Sequence, residues 1–102
     1  MSRISRTRGK NVELAIADYM QAKRNHFESE DLSHPIFSIE CKHRKTAPVL
    51  IRKAMAQAEA AAPGGKIPII VLHEERQEYR NSYVVMRLHN LCDLVEKNVK
   101  KT

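Results

Sequence analysis

The sequence predicts one small α/β domain. Three observations carry that expectation: apolar residues recur at helical spacing in three segments, they alternate or run together in three others, and Pro/Gly-rich or strongly polar stretches separate the segments. A chain of 102 residues has room for one domain, and a domain of that size buries roughly two-thirds of its unfolded surface.

The first expected helix spans residues 11–22, with Asn11 as N-cap and Val12, Ile16, Tyr19 and Met20 on one apolar stripe. The basic stretch before it, 1–9, is expected to be a flexible arm. Residues 23–35 are polar and end in His34-Pro35, which predicts a turn or an irregular strand. IFSIECK (36–42) then alternates: Phe37, Ile39 and Cys41 face one way, Ser38, Glu40 and Lys42 the other. Pro48 opens a second helix of about 14 residues, with Leu50, Ile51, Ala54, Met55, Ala58 and Ala61 on its apolar side. Pro63-Gly64-Gly65 ends it. The run IPIIVL within 66–73 suits a central strand buried on both faces. A polar connection (74–81) leads to a further strand, SYVVMRL (82–88). Leu91, Leu94, Val95 and Val99 then predict a C-terminal helix that frays into the basic tail 97–101.

Composition excludes several classes. No apolar run approaches the ~20 residues needed to span a bilayer, and no apolar stretch follows the basic start as a secretory signal requires. A cytoplasmic protein is therefore expected, in a bacterial host if the chain is phage-encoded. Cys41 and Cys92 stand far apart with no CxxC, and the five histidines show no HxxxH or HExxH spacing. Zinc sites and disulfide scaffolds are thus not expected. APGGK (62–66) lacks the spacing and the hydroxyl residue of a phosphate loop and reads as a turn.

Eighteen Lys and Arg against twelve Asp and Glu give a net charge of +6. Residues 1–53 hold eleven basic and six acidic side chains, and the basic ones cluster at Arg3, Arg6, Arg8 and Lys10 and again at Lys42, Arg44 and Lys45. Clustering of this kind favours a polyanionic partner over a merely solubilising surface. Nucleic acid is preferred to membrane because no strongly apolar helix face accompanies it.

Period two places Glu40 and Lys42 side by side on one strand face. On its own, E-x-K also describes an ordinary ion pair. Asp31, nine residues before Glu40, lies across a turn at Ser33-His34-Pro35, and a hairpin of that length brings the two carboxylates together. Two carboxylates suit Mg²⁺, which keeps several waters and needs few protein ligands. A lysine beside them can orient the attacking water or stabilise charge developing on a phosphate.

At these residues the chain resembles the PD-(D/E)xK nuclease superfamily, and within it the small phage-encoded relatives of archaeal-type Holliday junction resolvases. The resemblance runs from about Gly9 to Leu88. It rests on Glu13 within GKNVELAIA, Asp31 ahead of SHP, the strand FSIECKHRK, and MAQAEAA followed by PGGKIPIIVLHE. It implies a restriction-endonuclease-like fold, α/β with a central mixed sheet flanked by helices, and a single nuclease domain over 1–102. It further implies that Asp31, Glu40 and the backbone carbonyl of Cys41 hold Mg²⁺, with Mn²⁺ able to substitute, and that Lys42 positions water. Glu13 would reach the same cleft from the first helix to hold a second metal or a water, and Gln57 would stand as a polar residue near the site. The residue before Asp31 is Glu30, where the family has Pro or Gly, and Glu28 is close by; Asp31 is favoured by its spacing to Glu40.

The activity implied is hydrolysis of DNA phosphodiesters in four-way junctions, leaving a 5′-phosphate. Arg3, Arg6, Arg8, Lys10, Arg44 and Lys45 are the candidate DNA contacts. Two symmetric cuts require two sites, hence a homodimer, with the C-terminal helix or SYVVMRL as its surface. The rival readings are a nuclease of the same fold acting on flaps, nicks or duplexes, and a nucleic-acid-binding protein without catalysis.

Overall fold

The computed structural model describes the backbone of residues 3–24 and 31–101, and the side chains of residues 10–24 and 31–97. The chain divides into two compact units, Met1–Lys45 and Thr46–Thr102.

In the first unit, helix α1 (Arg3–Met20) begins well before Asn11. Its backbone therefore includes most of the stretch expected as a flexible arm. Ala17 and Met20 are buried and Val12 and Ile16 half-buried, whereas Tyr19 is exposed; the small Ala17 replaces the expected tyrosine in the apolar stripe. The helix ends in a Schellman arrangement. Gln21 adopts a left-handed φ of 56°, the Gln21 N–H donates to the Asp18 carbonyl at 3.3 Å, and the Ala22 N–H donates to the Ala17 carbonyl at 2.8 Å.

Three short strands follow: β1 (Lys23–Arg24), β2 (Leu32–Ser33) and β3 (Ser38–Ile39). They form an antiparallel meander with Arg24 opposite Leu32 and Leu32 opposite Ile39. Leu32, on the middle strand, is fully buried and anchors the small core of this unit. The turn between β2 and β3 is held by His34, whose Nδ1 accepts from the Ile36 N–H at 3.1 Å and whose ring stacks on Phe37 with centroids 5.3 Å apart. β3 is shorter than the strand expected over 36–42. Its alternation nevertheless persists past Ile39: Phe37, Ile39 and Cys41 are half-buried, while Ser38, Glu40 and Lys42 are exposed.

In the second unit, α2 (Val49–Ala61) starts directly after Pro48. Met55 is buried, with Ile51, Ala54 and Ala58 half-buried around it, and Leu50 and Ala61 are exposed. The helix stops at Ala62, which is extended at φ −68°, ψ 126°, the conformation that a following proline imposes. A turn from Pro63 to Lys66 closes with a 3.1 Å backbone hydrogen bond and requires the left-handed φ of 84° that Gly65 supplies.

β4 (Ile70–Leu72) and β5 (Tyr83–Val85) pair antiparallel, with Ile70 opposite Val85, Val71 opposite Val84 and Leu72 opposite Tyr83. This corrects two expectations. Among the described residues the strands form two antiparallel sheets, not one mixed sheet; the ten-residue connection 73–82, with its 3₁₀ turn at Tyr79–Asn81, returns the chain beside itself, whereas parallel pairing needs a longer crossover. Nor is IPIIVL buried on both faces. α2 packs against β4, and Ile70, Leu72 and Val85 are half-buried, but Ile69, Val71 and Val84 are exposed.

Helix α3 (Leu88–Lys101) follows. Leu88, Leu91, Cys92 and Val95 are half-buried and Leu94 lies at the exposed margin. Arg87 ties the start of α3 to α2 through a forked pair, with Nε and Nη2 each donating at 3.1 Å to the Glu59 carboxylate. No helix among the described residues is long and apolar enough to cross a membrane.

Candidate active site

Two of the candidate acids, Asp31 and Glu40, flank the β2–β3 pairing. Because Leu32 faces Ile39 in antiparallel register, the residues beyond them on the same side are Asp31 and Glu40. The hairpin register thus continues to Asp31 and Glu40 as opposite positions of the two chain segments. The Asp31 carboxylate is held there: its Oδ2 accepts from the Cys41 backbone N–H at 2.7 Å, a charge-assisted bond.

Lys42 stands on the same exposed side as Glu40, two residues on. Its Nζ lies 3.9 Å from Glu40 Oε1, and the two side chains are 82% and 66% exposed. At that distance and exposure the pair is a loose, solvated contact worth little to stability. The lysine is free to turn toward a ligand.

Glu13 reaches the region from α1, and its partner is one that sequence reasoning missed. Arg24 Nε donates to Glu13 Oε2 at 2.8 Å, with both side chains only about one-quarter exposed. Nothing in the run KRNHF distinguishes Arg24 from its neighbours; only the pairing of β1 with β2 turns it toward α1.

Cys41 feels the charge of these acids. Burial pushes its thiol above the ordinary range first, and the negative charges of Asp31, Glu13 and Glu40 raise it further, in that order. Among the described residues no three His, Cys, Asp or Glu side chains are drawn together closely enough to enclose a metal ion. The acids stand as separate groups: Asp31 before β2 and Glu40 after β3, opposite in register, and Glu13 paired with Arg24. Such a set fits a cation that takes one or two protein carboxylates and completes its shell with water and substrate phosphate, as Mg²⁺ does. It does not fit one needing a closed protein cage.

Lys10, Arg44 and Lys45 are exposed in the first unit. Arg3, Arg6 and Arg8 lie on the α1 backbone, with side chains outside the described residues, as are Glu28 and Glu30 altogether. Gln57 is exposed on α2 in the second unit.

Compared with known proteins, the chain matches no family model, no curated protein and no solved structure.

Proposed function

We propose that this protein is a Mg²⁺-dependent DNA endonuclease of the PD-(D/E)xK type that cuts four-way junctions as a homodimer. The observation that supports the reading is the β2–β3 register, which sets Asp31 opposite Glu40, with the Asp31 carboxylate bonded to the Cys41 N–H and Lys42 exposed next to Glu40. Asp31, Glu40 and the Cys41 carbonyl are the groups that would hold the ion, with Glu13 in reserve. When bound, Mg²⁺ supplies Lewis-acid polarisation of the scissile phosphate and lowers the pKa of an attacking water.

The chain's own groups do the rest. The Lys42 ammonium orients the water and offsets charge as it grows on the phosphate oxygens. Lys10, Arg44 and Lys45, with Arg3, Arg6 and Arg8, neutralise flanking phosphates, in keeping with the +6 net charge. The exposed apolar pair Val71 and Val84 gives β4–β5 a surface suited to a second copy of the chain. Burying such residues is favourable at about 25 cal/mol per Å².

A second reading has its own support: the looseness of the Lys42–Glu40 contact is what a nucleic-acid-binding protein with solvated surface charges would show. Labelled four-way junctions and matched linear duplexes, each with and without Mg²⁺, separate the two. Cleavage of the junction only when Mg²⁺ is present is expected. Binding without cleavage of any DNA would favour the second reading.

A further inference from the structure

The turn between β2 and β3 is closed by a side chain. Among the described residues no backbone hydrogen bond spans its four positions, His34 to Phe37. Pro35 has no N–H to offer, and the Ile36 N–H donates to His34 Nδ1 at 3.1 Å. The same imidazole stacks on Phe37, with centroids 5.3 Å and planes 30° apart. One residue thus holds both the tip of the hairpin and the start of its return.

The direction of that bond fixes the state of the ring. A backbone N–H only donates, so Nδ1 is the unprotonated nitrogen and the neutral ring carries its proton on Nε2. A second proton goes to Nδ1 and turns the acceptor into a donor facing the Ile36 N–H. His73 is the opposite case: its Nε2 lies 2.8 Å from the Gln77 carbonyl oxygen, which only accepts, so a charged ring keeps that bond. Among the described residues, the charged groups of the elements around the turn offer a charged His34 little in return. Glu13 of α1 is paired with Arg24 of β1, Asp31 accepts from the Cys41 N–H, and Glu40 stands 3.9 Å from Lys42. Lys10, Asp18 and Tyr19 are exposed on α1, and Lys23, opposite Ser33, carries the same sign as a charged imidazole. The Cys41 thiol stays neutral, pushed up by burial and then by the acids.

We propose that His34 makes the β2–β3 hairpin acid-sensitive: a proton at Nδ1 withdraws the acceptor from the Ile36 N–H and loosens the turn. The inference concerns the hairpin alone and does not rest on the proposed function. The bond exists only with the neutral ring, so it is complete above the ordinary histidine range of about pH 6.5 and is lost as pH falls through it. Stacking on Phe37 works against the opening, since a cation over a ring face is attracted to it. It cannot restore the bond, because neither nitrogen of a charged ring accepts. The same hairpin sets Leu32 opposite Ile39 and Asp31 opposite Glu40, so that register loosens with the turn.

NMR of the full chain labelled with ¹⁵N reads the bond directly. A scalar coupling across the hydrogen bond, between the Ile36 amide nitrogen and His34 Nδ1, is expected at about pH 7.5 and should vanish at about pH 5. Protection of the Ile36 amide from hydrogen exchange, corrected for the intrinsic effect of pH, should fall roughly three- to tenfold over the same interval. The Lys66 amide, which closes the Pro63–Lys66 turn at 3.1 Å, should keep its protection. His34→Asn offers a carbonyl that accepts in place of Nδ1 and does not titrate in this range, so its Ile36 amide should stay protected throughout. The measurements on the unaltered protein decide the matter if His34→Asn fails to fold. A coupling absent at neutral pH or persistent in acid, an Ile36 protection that holds or rises with acid, or an equal loss in His34→Asn overturns the proposal.

Discussion

The backbone N–H of Cys41 donates to Asp31 Oδ2 at 2.7 Å across ten residues of sequence. This bond ties the start of β2 to the chain leaving β3 and holds the Asp31 carboxylate at the Cys41 backbone. Burial raises the Cys41 thiol, and the charges of Asp31, Glu13 and Glu40 raise it further.

Lys42→Ala is expected to abolish cleavage while leaving the fold intact. The side chain is 82% exposed, so the stability change should stay within about 0.5 kcal/mol. Glu40→Gln, equally benign for folding, should lose divalent-cation binding in calorimetric titration. A folded Lys42→Ala protein with full cleavage activity would remove the lysine from the mechanism.

Cys41 should resist alkylation at neutral pH. Its thiol is pushed up by burial, then by Asp31, Glu13 and Glu40, so the reactive thiolate forms only above the ordinary thiol pKa of about 8.5. The fold favours the protonated form. Its contribution to stability is therefore complete below the ordinary pKa and is lost as pH rises through the elevated one. Iodoacetamide labelling, read by peptide mass spectrometry, should be faster in Asp31→Asn than in Glu40→Gln, and slowest in the unaltered protein. Equal rates in all three would mean that the acids do not act on the thiol.

Leu32→Ala should destabilise the first unit severely. Leu32 is fully buried on the middle strand, and such changes cost about 2–5 kcal/mol. The loss should appear in urea unfolding and should disperse the acid site, since Asp31 precedes Leu32 directly. A cost below about 1 kcal/mol would show that the meander is not the core of this unit.

DNA affinity should fall steeply with salt. Each phosphate contact on duplex DNA adds roughly 0.9 to the slope of log affinity against log salt. The double substitution Arg44→Ala and Lys45→Ala should therefore lower the slope by about 1.8 if both residues touch phosphate. An unchanged slope would exclude them from the interface.

Val71→Arg should convert a dimer to monomers in sedimentation. Val71 and Val84 face each other across the strands at 61% and 58% exposure, so the substitution leaves the protomer's own core untouched. An unaltered protein that sediments as a monomer at micromolar concentration and still cuts both strands of a junction would overturn the dimer mechanism.

Local chemistry made part of this protein legible in its sequence. Helical periodicity located α2 and α3, Pro48 and Pro63 bounded α2 because proline dictates its neighbours' backbone, and period two oriented Glu40 and Lys42 although regular pairing stops at Ile39. The hairpin that sets Asp31 opposite Glu40 was readable as well, since a short turn leaves an antiparallel chain few registers. Tertiary structure decided what depends on partners distant in sequence. Whether IPIIVL is covered on one face or two is set by what packs on it, and here, among the described residues, β4 pairs only with β5 while Val71 stays exposed. The start of α1 at Arg3 was hidden because polar residues carry no apolar stripe to mark a helix. Arg24 was hidden for a related reason: a charge acquires its role from the charge it meets, and Glu13 lies eleven residues away on another element, brought within 2.8 Å only by the fold.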